Sequence, residues 1–285
     1  MEVFFLSNFG EDVEMYRNKL CELTLNRLAE TNQIIIIGDI HGDYESFRKV
    51  RKLFNPTQDY IIFLGDYADR GENGIKVVES LKRLVKKYPL RVIALKGNHE
   101  DYTKRGEPRF KPCSLIYEAD RKRGGWTKFF VNEFRSFIFN LYLAVVIPEK
   151  VLFVHGGVSR RIGSIEDLKY PSRLIEKDVL WSDPYNGKGE CTNMRGVGVI
   201  FGKDVSKEVC DKIGVKRIVR SHQPRKASKE PYVEHDGRVI TISSTRVYGN
   251  RAFALKLPVN NLNYAFKNLK KICTISLTDS TLERE

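Results

Sequence analysis

The fold of this chain is decided by the stretch Gly65-Asp66-Tyr67-Ala68-Asp69-Arg70-Gly71, which directly follows the apolar run Tyr60-Ile61-Ile62-Phe63-Leu64. Two carboxylates and one guanidinium therefore lie within five residues, on a glycine-bounded loop after a predicted buried strand. Burying such charges beside apolar residues costs free energy unless a counter-charge compensates them. A divalent metal ion would compensate the carboxylates, and an anionic substrate would bind the arginine.

This loop belongs to a repeating strand–helix pattern. Apolar runs predict strands over 33–37, 60–64 and 91–95, and helical periodicity predicts helices over 44–54 and 74–88 between them. Continuous apolar strands that alternate with helices predict a parallel sheet covered on both faces. In such sheets, ligands bind beyond the carboxyl ends of the strands. Three polar clusters fall at those ends, namely residues 38–42, 65–71 and 96–100.

The rest of the chain is predicted to complete the same domain. Without an internal repeat or a linker-like segment, residues 1–285 are expected to form a single catalytic domain. It would comprise a helical lead-in (1–32), a core (33–257) and a tail (258–285) that either docks or frays. The other predicted elements are helices over 11–30, 126–138 and 204–213, strands over 141–147, 151–154 and 217–219, and strands of a second sheet over 239–243 and 252–257.

Composition and charge limit the classes of function. The chain has 49 Lys and Arg against 36 Asp and Glu, and its net charge of +13 favours anionic partners such as phosphoproteins, nucleotides or nucleic acid. Five widely spaced cysteines without a C-x-x-C pair argue for reduced thiols in a cytoplasm. We expect no membrane span and no secretory signal, because the apolar runs are short and the first residues lack a basic segment.

Four of the five histidines follow directly after predicted strands. They are His41, His99, His155 and His222. A lone histidine is usually a surface or core residue, but four at one edge, beside Asp39, Asp66 and Asn98, indicate a metal site. Mixed carboxylate, imidazole and amide ligands suit Mn, Fe or Zn better than Ca or Mg. About six ligands from several segments suit two ions that share a carboxylate, with the ions about 3.5–4 Å apart and one hydroxide between them.

Five motifs at the strand ends carry a resemblance to a known family. They are Gly38-Asp39-Ile40-His41-Gly42, Gly65 to Gly71 as quoted above, Gly97-Asn98-His99-Glu100, His155-Gly156-Gly157 and Ser221-His222-Gln223. Over about residues 34–257, the chain resembles the calcineurin-like metallophosphoesterases. It is more narrowly similar to the PPP family of serine/threonine protein phosphatases, as indicated by Glu100, Trp181-Ser182-Asp183-Pro184, Arg195-Gly196 and Phe201-Gly202. The resemblance implies an α/β fold, in which a two-sheet β-sandwich built on the N-terminal β-α-β-α-β unit is flanked by helices.

The resemblance also implies a role for each polar residue. Asp39 and His41 would bind one metal ion, Asp66 would bridge two, and Asn98, His155 and His222 would complete the second site. His99 would be the general acid, oriented by Asp69. The phosphoryl group would be bound by Arg70, Arg195 and Asn98. Manganese is the expected metal, with iron or zinc as alternatives, and a bridging hydroxide would attack phosphoserine or phosphothreonine directly. A positioned acid accelerates departure of a poor alkoxide leaving group by about 10²–10⁴-fold, and the planar fork of arginine matches phosphate.

Several alternatives remain open at individual residues. Asp69 could instead cap the following helix, and Arg70 could donate an ion pair to Asp66 or Asp69. Trp181 is expected to pack, with Asp183 fixing its loop. The basic segment 101–125 is either a solvated loop or a substrate-facing rim.

Two departures from the family pattern bear on specificity. Met194 stands where the family usually has an acidic residue. The second departure is the run Ser243-Ser244-Thr245-Arg246-Val247-Tyr248-Gly249. In this run the tyrosine is displaced by one residue, and Arg246 replaces an amide residue. Substrate preference and toxin sensitivity therefore stay open, and a minimal, prokaryotic-type member is the hypothesis. The expected partners are phosphoproteins or phosphopeptides, with no membrane and no indication of regulatory subunits. Rival functions are a dinucleoside polyphosphate hydrolase and a nucleic-acid-binding protein with a structural metal site.

Overall fold

The computed structural model describes residues 18–278 of the chain. The strands are β1 (Leu20–Glu22), β2 (Gln33–Ile37), β3 (Asp59–Phe63), β4 (Val92–Ala94), β5 (Ala144–Ile147), β6 (Val151–Val154), β7 (Asp183–Pro184), β8 (Glu190–Thr192), β9 (Val199–Phe201), β10 (Arg217–Arg220), β11 (Tyr232–Glu234), β12 (Val239–Thr241), β13 (Phe253–Pro258) and β14 (Thr274–Ser276). The α-helices are α1 (Leu25–Leu28), α2 (Tyr44–Leu53), α3 (Gly74–Lys87), α4 (Leu115–Arg123), α5 (Trp126–Phe129), α6 (Arg135–Phe139), α7 (Glu166–Lys169), α8 (Arg173–Trp181), α9 (Lys203–Ile213) and α10 (Leu262–Lys267). Short 3-10 turns (Asn98–Glu100, Val259–Asn261) and π-helical turns (Phe130–Phe134, Leu269–Cys273) are also present. Among these residues, no helix combines the length and the apolar character that crossing a membrane requires.

The N-terminal β-α-β-α-β unit forms the centre of a five-stranded sheet with strand order β14-β13-β2-β3-β4. Strands β2, β3 and β4 run parallel, and β13 pairs antiparallel with β2. Helix α2 begins at a capping residue, Asp43, whose side chain accepts a hydrogen bond from the backbone N–H of Ser46. The predicted strand–helix unit is confirmed, and its boundaries agree with the sequence pattern to within one residue.

A six-stranded sheet, ordered β1-β5-β6-β10-β12-β11, packs against the five-stranded one. The isoleucines of β2 show why the two sheets stack. Ile35 and Ile37 belong to the apolar core beneath the helices, whereas Ile34 and Ile36 belong to a second core shared with Val145 of β5. Because successive side chains of a strand point to opposite faces, the uninterrupted isoleucine run buries both faces. The predicted two-sheet sandwich flanked by helices is therefore confirmed.

The predicted helix over 11–30 is wrong for its described part. Residues 11–17 lie outside the described residues, and residues 20–22 form β1, which pairs in parallel with β5. Only the single-turn helix α1 lies in this region. Leu20 and Leu23 are buried, so sheet pairing and core packing override the weak helical periodicity.

The helix predicted over 126–138 is confirmed, since α5, the π-helical turn Phe130–Phe134 and α6 follow one another without a break over residues 126–139. The structure decides two other expectations. The last two predicted strands do not share a sheet, since β12 joins the six-stranded sheet and β13 lies beside β2. A short apolar run indicates burial but does not identify the partner strand. The described part of the tail docks, because β14 pairs with β13 and the side chains of Leu262 and Phe266 are buried.

Candidate metal centre

The polar motifs meet at one edge of the sandwich, beyond the carboxyl ends of β2, β3, β4, β6 and β10. Backbone hydrogen bonds join the loops to one another. The N–H of His41 donates to the carbonyl of Asp66 at 2.9 Å, and the N–H of Ser221 donates to that of His155 at 2.9 Å. Parallel pairing of the strands therefore brings side chains from distant parts of the chain to one place.

Five site residues have a left-handed backbone conformation. The φ angle is 47° at His41, 57° at Asp66, 67° at Asp69, 68° at Arg70 and 69° at His222. Non-glycine residues rarely adopt this region because Cβ crowds the following carbonyl, at a cost of about 1–3 kcal/mol each. Such conformations persist where surrounding contacts enforce them, and they concentrate at functional sites.

The first cluster of predicted ligands lies on one side of Asp66. Its Oδ2 is 3.5 Å from Nε2 of His41, which is 3.8 Å from Oδ2 of Asp39. Nδ1 of His41 lies 3.1 Å from the backbone carbonyl of Ala68. A neutral imidazole that donates from Nδ1 to this carbonyl directs the Nε2 lone pair at the two carboxylates.

The second cluster lies on the other side of Asp66. Oδ1 of Asp66 is 3.4 Å from Nε2 of His155. The side-chain oxygen of Asn98 lies 2.9 Å from this Nε2 and 3.0 Å from Nδ1 of His222. Nδ1 of His155 is 2.8 Å from the carbonyl of Leu64, which again leaves Nε2 available to a ligand. The two oxygens of Asp66 thus face two different sets of donors.

Unpartnered buried atoms at this site fit a cation. Oδ2 of Asp39 and Nε2 of His222 are buried and have no hydrogen-bond partner within residues 18–278, which is costly for polar atoms. Two groups of side chains bring their ligand atoms close enough to hold a metal ion. They are His41, Asp66 and His99, and Asp66, His155 and His222. The first group contains His99 where the sequence predicted Asp39.

The protonation states suit metal binding. Burial lowers the pKa of His41 to about 3 and the pKa values of His155 and His222 well below the ordinary range. Burial, together with the neighbouring Asp39 carboxylate, raises the pKa of Asp66 well above its usual value. Neutral imidazoles can ligate directly, and a divalent cation would offset the cost of an ionised Asp66.

His99 lies beside this centre and is fixed by Asp69. Nδ1 of His99 is 2.9 Å from Oδ2 of Asp69, and the His99 and His41 rings meet edge to face at 4.9 Å. Oδ1 of Asp69 accepts a hydrogen bond from the N–H of Leu115, the first residue of α4, at 2.8 Å. Burial alone would raise the pKa of Asp69, but the hydrogen bonds from His99 and Leu115 lower it. Asp69 therefore contacts both His99 and a helix start, although that helix is α4 rather than the one that follows the loop.

The two predicted phosphate-binding arginines differ in their surroundings. Arg70 is exposed, and it forms no ion pair with Asp66 or Asp69 in the described part of the chain. Arg195 donates from Nε to Oδ2 of Asp183 at 3.2 Å, and its side chain is 44% exposed. Both guanidinium groups therefore retain N–H donors for an anion.

The basic segment 101–125 is partly neutralised within the protein. Arg109 pairs with Asp101 at 3.5 Å, Lys122 pairs with Glu118 at 2.8 Å, and Arg123 pairs with Glu79. These pairs support the interpretation of the segment as a solvated loop and helix.

Known proteins match this arrangement. Residues 33–226 match the profile of the calcineurin-like phosphoesterase family. The chain belongs to this family. A relative from Saccharomyces cerevisiae, serine/threonine-protein phosphatase PP1-1, is 31% identical over 284 residues, which cover 92% of this chain and 88% of that protein. It identifies the chain with the PPP branch of the calcineurin-like phosphoesterases.

The chain covers only part of the length of other relatives. A serine/threonine-protein phosphatase from Caenorhabditis elegans is 32% identical over 232 residues, covering 78% of this chain and 48% of that protein. The chain thus spans about half the length of several curated relatives that it matches. A solved yeast structure, a serine/threonine phosphatase with similarity to human phosphatase PP5, aligns with a TM-score of 0.72 at 24% identity. The alignment covers 87% of this chain and 79% of the yeast chain. At this level of identity the similarity shows the fold alone.

In this calcineurin-like phosphoesterase, Glu100 anchors the loop that carries Asp66. The buried Glu100 carboxylate accepts hydrogen bonds from the backbone N–H groups of Asp66 (2.8 Å), Tyr67 (3.0 Å) and Gly97 (3.0 Å). Burial raises the pKa of Glu100 to about 7. The sequence indicated Glu100 only as a family marker, because a motif does not reveal that its carboxylate binds backbone amides.

Ser221 is a supporting residue to which sequence reasoning assigned no role. Its hydroxyl accepts a hydrogen bond from the N–H of Asp39 at 2.7 Å and donates one to Oδ1 of the same residue. Beside it, the fully buried Arg220 pairs with Oδ1 of Asp183 at 2.9 Å. Trp181 meets the His222 ring edge to face at 5.8 Å, so it packs as expected, and Asp183 ties its loop to two arginines.

Proposed function

We propose that this chain is a metal-dependent serine/threonine protein phosphatase that hydrolyses phosphoserine and phosphothreonine monoesters, with residues 1–285 as one catalytic domain. The observation that carries the proposal is the geometry of Asp66, whose two oxygens lie 3.5 Å from His41 Nε2 and 3.4 Å from His155 Nε2. A carboxylate shared in this way suits two divalent ions, with manganese expected and iron or zinc as alternatives. When bound, the two ions supply a hydroxide nucleophile at neutral pH and offset the charge that develops on the phosphoryl group.

Asp39 and His41 would hold one ion with Asp66, and Asn98, His155 and His222 would hold the other. The ligands emerge from strand ends whose loops are joined by backbone hydrogen bonds. Such fixed surroundings keep the donor atoms in position before substrate arrives.

The arginines would bind the phosphoryl oxygens. Arg195 is oriented because Asp183 accepts its Nε–H at 3.2 Å, which leaves the terminal N–H groups for the substrate. Arg70 has no competing carboxylate within the described residues. Paired arginine donors match the geometry of a phosphate better than lysine would.

His99 would donate the proton that the departing alkoxide needs. With Asp69 accepting the Nδ1–H at 2.9 Å, the transferable proton is at Nε2. The Asp69 carboxylate would hold the ring in this orientation, and the general acid would contribute about 10²–10⁴-fold to the rate.

A substrate panel tests the proposal. Purified protein is assayed with phosphoserine and phosphothreonine peptides, an aryl phosphate and diadenosine tetraphosphate, each with Mn, Zn, Fe, Co or Mg, after elemental analysis. We expect metal-dependent hydrolysis with the highest kcat/KM on phosphopeptides. A large preference for diadenosine tetraphosphate would overturn the proposal. So would salt-sensitive binding of DNA or RNA without any phosphatase activity.

A further inference from the structure

The loop of residues 243–249, where the sequence departs from the family pattern, is bound through Arg246 to Asp43, two residues after His41. The backbone N–H and Nε of Arg246 each donate to Oδ2 of Asp43 at 2.9 Å, and Nη2 donates to Oδ1 at 2.6 Å. Asp43 also caps α2, directly after the loop that carries His41. Arg246 therefore interacts with the protein rather than with a substrate, and it fixes the position of the loop.

This anchoring holds Tyr248 at the rim of the site. The Tyr248 ring meets the His41 ring edge to face, with centroids 5.6 Å apart. The Arg70 side chain lies near its hydroxyl. Tyr248 thus presents a fixed aromatic surface beside the metal centre.

A second arginine lies over this surface. The Arg225 guanidinium is 6.0 Å from the centroid of the Tyr248 ring, within cation–π range. Two hydrogen bonds join residues 224–228, which include Arg225, to the residues that follow Tyr248. The Asn250 side chain donates to the carbonyl of Pro224 at 2.9 Å, and the N–H of Arg251 donates to that of Ser228 at 2.7 Å.

Arg225 is available to an anion. It is exposed, and it forms no ion pair with any carboxylate within residues 18–278. The family resemblance implies a role for His222, three residues earlier, but it implies none for Arg225. An exposed guanidinium that is positioned but not neutralised is well suited to bind a carboxylate or phosphate in a bidentate manner.

We propose that Arg225, supported by Tyr248, forms a subsite for a second anionic group on a substrate peptide, a carboxylate or phosphate that flanks the phosphoresidue. This inference rests on the proposed phosphatase function. The contacts put the Arg225 guanidinium within about 12 Å of the His41 ring. An extended peptide advances about 3.3 Å per residue, so the anionic side chain belongs within about three residues of the phosphoresidue.

Peptides that differ only in the flanking residue test the subsite. Each peptide carries one phosphoserine, and Ala, Asp, Lys or a hydrolysis-resistant phosphonate analogue of phosphoserine is placed at each of the three positions on either side. For the wild type, we expect kcat/KM to be about three-fold higher with Asp than with Ala at one position, as suits an exposed ion pair. A further gain with the phosphonate would identify phosphate as the preferred group, and equal gains would identify the shared negative charge.

Variants assign the effect to Arg225. The ratio of kcat/KM for the Asp peptide to kcat/KM for the Ala peptide should fall to about one in Arg225→Ala. In Arg225→Glu it should fall below one. Because each ratio is taken within one variant, a general change in activity cancels. Lys229→Ala is the matched control, since Lys229 is an exposed cation on the same segment, and it should keep the wild-type ratio.

The outcomes separate the subsite from the phosphatase function. Hydrolysis of all peptides with equal efficiency, or an unchanged ratio in Arg225→Ala, would overturn the subsite while the phosphatase assignment stands. Turnover of diadenosine tetraphosphate without turnover of any phosphopeptide would overturn the proposed function and this inference with it.

Discussion

Replacing Glu176 with glutamine is expected to lower the free energy of unfolding by about 3 kcal/mol at pH 7. Glu176 lies on α8, where its carboxylate accepts hydrogen bonds from Lys96 Nζ at 2.7 Å and from Arg173 Nη1 at 2.8 Å. Burial alone would raise the pKa of Glu176, but the two cations outweigh it and lower the pKa from 4.5 to about 2. A shift of this size corresponds to about 3 kcal/mol of differential stabilisation.

The contribution of Glu176 depends on pH in a direction set by the sign of its shift. The folded-state pKa lies below the unfolded value, so the stabilisation is fully present above about pH 4.5 and is lost as the pH falls towards 2. The stability difference between the wild type and Glu176→Gln should therefore shrink to about 2 kcal/mol at pH 3.5.

Urea unfolding followed by tryptophan fluorescence measures this difference, because Trp181 lies on the same helix as Glu176. Glu166→Gln is the matched control, since Glu166 is 59% exposed and pairs with Lys169 at the surface. Surface ion pairs contribute little to folding stability, so the urea midpoint of Glu166→Gln should hardly differ from that of the wild type. A Glu176→Gln effect below about 0.5 kcal/mol at pH 7, or one that stays constant or grows towards pH 3.5, would refute the reasoning.

Three further substitutions test the candidate site. His99→Asn should retain metal but lower kcat by about 10²-fold or more with an alkyl phosphate and much less with an aryl phosphate, and equal losses would remove His99 from the leaving-group role. Asp66→Asn should lose metal from both clusters, and an unchanged stoichiometry in elemental analysis would contradict the bridging role. Ser221→Ala should weaken Mn²⁺ binding to the apo protein by about 10–100-fold, because Asp39 loses the hydroxyl that donates to Oδ1. Unchanged affinity in a metal titration would show that this hydroxyl does not support the ligand.

The strand-end loops could be predicted because the relevant signals are local. The isoleucine run of β2 changes within two residues into Gly38 and Asp39, and the apolar run of β3 changes in the same way into Gly65 and Asp66. A strand that is buried on both faces must end where polar residues begin. Parallel strands then bring such ends to one edge, so position along the chain predicted position in the fold.

The supporting contacts could not be predicted, because their partners are far apart in the chain. Arg246 binds Asp43 across 203 positions, and Ser221 binds Asp39 across 182. Lys96 reaches Glu176 across 80 positions. Each of these residues is an ordinary polar residue in its own segment, and no periodicity connects it to its partner.

The sequence by itself determined the β-α-β-α-β unit, the edge of the sheet at which the polar side chains lie, and the chemistry of the Gly65–Gly71 loop. Apolar patterning and residue chemistry are properties of short segments. Only the tertiary structure decided that β1 is a strand, that β13 lies beside β2, and that the two oxygens of Asp66 face different histidines. Strand partners and side-chain orientations depend on packing between segments that are distant in the chain, where burial and backbone hydrogen bonding outweigh local preference.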